Sequence, residues 1–137
     1  MMEGVFQGDG NSGKSGGTIL LIDDDVPILE FGKEILDYYG YQTITAENGE
    51  RAVELFRREK DHVSLVILDL HMPGMDGHEC LKKILEIEPR AKVFISSGYY
   101  SGGKVREMMD MGASGFFMKP FRLDELVNRV KEILGHT

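Results

Sequence analysis

Five short apolar runs along the chain alternate with longer segments in which apolar residues return every three or four positions. The first run, Thr18-Ile19-Leu20-Leu21-Ile22, predicts a strand over about 18–23. Asp25-Val26-Pro27 then opens a helix, with an aspartate as cap and a proline in the first turn. Ile28, Gly32, Ile35, Leu36 and Tyr39 fall at helical spacing along it, and Gly40 ends it. Tyr41-Gln42-Thr43-Ile44-Thr45 alternates and is rich in β-branched residues, as a strand exposed on one side would be. Asn48-Gly49 starts a second helix, whose apolar stripe is Ala52, Val53, Leu55 and Phe56. Val63 to Leu68 is almost unbroken in its apolar character, the pattern of a buried central parallel strand. A third helix spans about 77–88 and carries Leu81, Ile84 and Leu85, with Pro89 past its end. Ala91 to Ser96 is a fourth strand. A short helix over about 102–111 is stopped by Gly112, and Gly115 to Met118 is a fifth strand. The last helix turns Leu123, Leu126, Val127, Val130, Ile133 and Leu134 inward.

Five strand–helix units in succession imply an α/β fold, a parallel sheet with helices on both faces. Residues 1–17 stand apart. Six of them are glycine, with Asp9, Asn11, Ser12 and Ser15 between. They read as a flexible linker or an expression scar, which leaves 18–137 as the one domain. Gly8 to Ser15 matches the phosphate-binding loop pattern letter for letter. That pattern needs a strand before it and a helix after it. Here Gly16-Gly17 and a strand follow, so nucleotide binding is set aside.

Composition narrows the classes. At 137 residues and 42% hydrophobic, the chain can bury a core. A net charge of -7 argues against affinity for nucleic acid or anionic membrane. No apolar run approaches the ~20 residues of a membrane span, and no signal-peptide pattern opens the chain. Cys80 is the sole cysteine, so no internal disulfide forms; this suits a cytoplasmic location.

The candidate chemistry lies at the strand ends. Asp23-Asp24-Asp25 follows the first strand, Asp69 ends the third, and Lys119-Pro120 follows the fifth. In a parallel sheet these meet along one edge, where open α/β sheets bind ligands. Carboxylates crowded there repel one another, and a hard cation such as Mg2+ relieves that repulsion. Asp69 can then serve as a nucleophile toward a phosphoryl group, with Lys119 as a point charge for its oxygens. Ser97 can donate a hydroxyl to the same group, and Gly98 leaves room beside it. Asp25 reads as a cap. His62, His78 and His136 read as surface residues, and Cys80 as a semi-buried filler. Met108, Met109 and Met111 read as half core, half adaptable surface.

Four motifs in this order, Ile22-Asp23-Asp24-Asp25, Leu68 to Gly77, Ser97-Gly98 and Lys119-Pro120-Phe121, closely resemble the receiver domain of bacterial two-component response regulators. The resemblance covers about residues 18–135. It implies the flavodoxin-like strand order 2-1-3-4-5. It implies Asp69 as phospho-acceptor, and Asp24 and Asp69 as direct Mg2+ ligands. Asp23 would be a ligand through water, and the backbone carbonyl of His71 the remaining protein ligand. It makes Ser97 the switch hydroxyl, Lys119 the active-site lysine and Phe116 the aromatic rotamer switch. The implied partners are a sensor histidine kinase or a histidine phosphotransfer protein, with an unidentified output partner on the 102–135 face. The implied state is a monomer or a phosphorylation-dependent dimer. No nucleic acid or membrane is expected to bind, and no enzymatic turnover beyond its own phosphorylation and dephosphorylation. The chain ends with its last helix, so it reads as a single-domain regulator or as a receiver cut from a longer protein. His71 stands where asparagine is frequent, and Tyr99 where smaller residues are common. If Tyr99 covers the water's approach, the phosphorylated state is long-lived. The enzyme alternative, a haloacid-dehalogenase-like phosphohydrolase, wants a second aspartate where His71 stands. A flavodoxin-like electron carrier wants a Ser/Thr-rich loop where the three aspartates stand.

Overall fold

The computed structural model describes residues 17–98, 102–119 and 123–134. The elements run β1 (Thr18–Ile22), α1 (Val26–Tyr38), β2 (Gln42–Ala46), α2 (Gly49–Glu59), β3 (Val63–Asp69), α3 (Gly77–Ile87), β4 (Val93–Ser97), α4 (Gly102–Met111), β5 (Gly115–Met118) and α5 (Leu123–Leu134). The five strands form one parallel sheet in the order β2-β1-β3-β4-β5. This is the doubly wound, flavodoxin-like order that the resemblance implies.

The period of two along each strand sends alternate side chains to opposite faces. Leu20, Ile22, Val66 and Leu68 pack with Ala52, Phe56, Leu81, Ile84 and Met108, so α2, α3 and α4 cover one face. Ile19, Leu21, Leu65 and Ile67 pack with Leu29, Leu36, Leu126 and Val130, so α1 and α5 cover the other. Burial on both faces explains why β1 and β3 read as continuous apolar runs. Each buried Leu, Ile, Val, Phe or Met among these contributes about 1.5–3 kcal/mol by leaving water. The helix starts are fixed by their caps. Asp25, Asn48 and Asp76 accept from the N–H groups of Ile28, Arg51 and Glu79 at 3.3, 2.8 and 3.0 Å. Gly40 and Gly112, at φ of 95° and 123°, end α1 and α4.

Several expectations shift. The inward stripe of α1 is Leu29, Gly32 and Leu36, while Ile28 and Tyr39 are exposed. Two apolar stripes lie side by side on this helix, and spacing alone does not say which one faces the sheet. Gly32 lies on the inward one, where a Cβ would stand 2.7 Å from Leu21 Cδ2. The second stripe, with Ile28, Phe31 and Tyr38, stays in solvent. Cys80 is fully buried rather than semi-buried, and burial pushes its thiol up to about 12. Met108 is buried and Met109 exposed, as expected. His62 is exposed, whereas His78 is half-buried and pairs with Glu107 of α4 at 3.4 Å. The tail with its phosphate-loop pattern lies outside the described residues, as do Tyr99, Pro120, Phe121 and His136.

Candidate functional site

The sheet register assembles the site. Ile22 of β1 lies beside Leu68 of β3, so Asp23 and Asp69 emerge as neighbours at the carboxyl edge. Asp69 pairs with Ser96 of β4, and Ser97 with Met118 of β5, which delivers Lys119 to the same edge. The backbone locks these ends. Asp23 N–H donates to Ala46 O at 3.1 Å, Leu70 N–H to Ser96 O at 2.8 Å, and Lys119 N–H to Ser97 O at 2.6 Å.

Asp23, Asp24 and Asp69 each bring a carboxylate oxygen within 4.8 Å of the others. Asp23 and Asp69 are buried and Asp24 is exposed. Lys119 Nζ donates to Asp23 Oδ2 at 2.7 Å and stands 3.5 Å from Asp69 Oδ1. Sequence alone assigned this lysine to the phosphoryl oxygens; without a phosphoryl group its nearer partner is Asp23. Asp25 N–H donates to Asp23 Oδ1 at 3.0 Å, which fixes that carboxylate's orientation. His71 N–H reaches Asp69 Oδ1 at 3.4 Å, and the His71 side chain is exposed.

The electrostatics follow from this crowding. Burial, then the charge of Asp23, push Asp69 up to about 6; Lys119 and the His71 N–H only partly offset them. Burial works against the Lys119 ammonium, but the hydrogen bond to Asp23 and the charge of Asp69 outweigh it and raise its pKa. Three carboxylates and one ammonium leave the edge short of positive charge. The clustered donors are hard oxygens, which suits Mg2+, and Asp23, Asp24 and Asp69 fit as its holders.

Ser97 is buried at the end of β4, beside the lysine's backbone. Phe116 points outward at 40% exposure, while Phe117 fills the core against Phe94. The two glycines after Asp69 act in different ways. Gly74 takes a positive φ of 76°. Gly77 does not, and serves by size: a Cβ there would stand 2.6 Å from Asp69 O and 2.8 Å from Leu70 Cα. Only glycine lets α3 start that close to the acceptor's own backbone. Spacing carried no sign of this, because the contact depends on the angle at which α3 leaves the sheet.

The model of the response regulator receiver domain matches residues 19–131. Sporulation initiation phosphotransferase F of Bacillus subtilis is 37% identical over 116 residues, covering 85% of this chain and 92% of that protein. A cyclic di-GMP phosphodiesterase of Thermotoga maritima is 33% identical, but the matched region spans only 31% of it. Among solved structures, the CheX–CheY–BeF3–Mg2+ complex of Borrelia burgdorferi superposes with a TM-score of 0.81 at 30% identity. It covers 85% of this chain and 88% of that one.

Proposed function

The chain belongs to the response regulator receiver domain family, and from that premise we propose that Asp69 is its phosphoryl acceptor, served by Asp23, Asp24, Lys119 and Ser97. The family is a phospho-accepting unit of two-component signalling, which does not favour the phosphohydrolase alternative. The observation that carries the assignment is the position of Asp69. Its carboxylate is buried at the edge of the central strand, within 4.8 Å of two further carboxylates and within reach of one ammonium.

The chemistry then runs through the chain's own groups. A carboxylate oxygen of Asp69 attacks the phosphorus of a phosphohistidine, the P–N bond breaks, and the imidazole leaves with the electron pair. The Lys119 ammonium supplies a compact charge to the transferred oxygens. The Ser97 hydroxyl donates to one of them. When bound, Mg2+ would offset the carboxylate charge and that of the phosphoryl oxygens; Asp23, Asp24, Asp69 and the His71 carbonyl would hold it. A solved relative's complex contains both BeF3 and Mg2+, which supports this reading. Phosphorylation adds roughly -1.5 to -2 charges. The site reads that charge by drawing Ser97 and Lys119 toward it, and Phe116 turns inward into the space Ser97 leaves. A shift from 1:99 to 99:1 needs about 5.5 kcal/mol in favour of the active arrangement. The face over 102–135 carries the result to an output partner or to a second copy. The protein is a cytoplasmic switch whose only turnover is its own. Among the described residues no helix is long and apolar enough to cross a membrane.

Acetyl phosphate with Mg2+ is expected to add one phosphoryl group to the protein, and chelation to prevent it. An unchanged mass with and without Mg2+ would refute the proposal.

The donor approaches across α1. Ile28, Phe31 and Tyr38 are exposed on the helix that begins beside Asp24. A solvent-facing apolar stripe marks a contact surface. Phe31→Ala is expected to slow transfer from a phosphohistidine protein by about tenfold or more. Labelling by acetyl phosphate should not change, because that small donor needs no docking surface. Equal slowing with both donors would place the defect in the site instead.

A further inference from the structure

Residues 70–76, between β3 and α3, carry two backbone groups of the site. These are the His71 N–H, aimed at Asp69, and the His71 carbonyl. The base of this loop is closed by Gly77 N–H donating to Leu70 O at 3.1 Å. Its outer part is anchored by two methionines. Met72 is buried in the core, and Met75 packs against the same cluster. Met75 also meets the first residue of α2. A Cβ on Gly49 would lie 2.8 Å from Met75 Cβ, 2.8 Å from its Cγ and 2.8 Å from its carbonyl oxygen. Two of those atoms cannot swing away as a side-chain tip could. Gly49 has no positive φ; among the described residues the glycines that do are Gly17, Gly40, Gly74 and Gly112. Space, not conformation, is why residue 49 has no side chain.

The helix is the rigid partner in this contact. Asn48 caps α2 through Arg51 N–H at 2.8 Å, and Ala52, Val53, Leu55 and Phe56 hold it in the core. A side chain at 49 would therefore displace the loop, not the helix. We propose that Gly49, twenty positions before the acceptor, is a positioning residue for phosphoryl acceptance. It seats Met75, and Met75 fixes the turn that sets the His71 backbone over Asp69. This rests on Asp69 as acceptor and on the His71 carbonyl as a holder of the cation.

The test compares Gly49→Ala with Gly32→Ala by two-dimensional NMR and Mg2+ titration. Gly32→Ala adds a Cβ against the tip of the Leu21 side chain, on the opposite face of the sheet. Gly49→Ala is expected to shift the His71 amide in the metal-free protein and to weaken Mg2+ binding by about tenfold, the size of an outer-shell effect. Gly32→Ala should leave the Mg2+ titration where it is. Met75→Ala removes the anchor without any clash, and it should weaken Mg2+ as Gly49→Ala does. It carries the test if Gly49→Ala does not fold. The proposal is overturned if the His71 amide and the Mg2+ midpoint are those of wild type in both loop variants. It is also overturned if Gly32→Ala weakens Mg2+ equally. A wild type indifferent to Mg2+ would refute the acceptor reading, while the metal-free His71 shift would still judge Gly49.

Discussion

Asp69→Asn is expected to abolish phosphorylation by acetyl phosphate and, without Mg2+, to make the protein more stable than wild type at neutral pH. The first effect follows because an amide is not the nucleophile that a carboxylate is, and Asp23, already bonded to Lys119, does not take its place. The second follows from the cost of ionising a buried carboxylate. Asp69 is raised from its ordinary 3.8 to about 6 by burial and by Asp23. Between those values the folded state holds a proton that the unfolded state has lost. Stability therefore falls as pH rises through this window, and the loss is complete above about 6. At about 1.4 kcal/mol per unit, the two units or so are worth up to about 3 kcal/mol. Asparagine keeps the shape and removes the charge. Denaturant unfolding without Mg2+ should show the variant's advantage at neutral pH and its disappearance in acid. A variant less stable than wild type throughout would mean that the ionised carboxylate is better satisfied than this geometry allows.

Lys119→Met carries the next largest effect, in the opposite direction. It leaves Asp23 without its 2.7 Å partner and strips Asp69 of the only ammonium found near it among the described residues. Removing one member of a fully buried pair costs about 3–5 kcal/mol. Lys119 is one-fifth exposed, so water returns part of that, and about 2 kcal/mol is expected at neutral pH. Lys119 holds the Asp69 pKa down, so without it Asp69 takes up a proton more readily in the folded state and the lost stability should return as pH falls. Mg2+ should also restore it, by supplying the missing positive charge. Phosphorylation should slow by about a hundredfold or more, since a preorganised charge on the transferred oxygens is lost. Unfolding in mild acid and at neutral pH, with and without Mg2+, checks the first part. Loss of stability that neither acid nor Mg2+ reverses would assign Lys119 a packing role instead.

The fold was readable because burial on both faces writes itself as unbroken apolar runs at Leu20 to Ile22 and Leu65 to Leu68. The starts of α1 and α2 were readable because Asp25 and Asn48 act locally, within three residues, whereas the Asp76 cap of α3 emerges only in the structure. The acidic edge was readable because all its members sit at strand ends, which parallel pairing brings together. Other features depend on inter-element distances that no spacing encodes. The choice of inward stripe on α1 is one, and the close starts of α2 and α3 at Gly49 and Gly77 are others. The pairing of Lys119 with Asp23 before Asp69 is of this kind too, since both partners lie many residues away from the lysine. The outward pose of Phe116 follows from the alternation of β5, once Phe117 is known to face the core.

The most direct measurement traps the acceptor chemically. The protein is treated with acetyl phosphate and Mg2+, reduced with borohydride, which cleaves an acyl phosphate to the alcohol, and mapped by peptide mass spectrometry. The reduced residue is expected at position 69 and at no other acidic residue, and it should vanish when Mg2+ is chelated. Reduction at Asp23 or Asp24, or none anywhere despite intact Mg2+ binding, would contradict Asp69 as the phosphoryl acceptor.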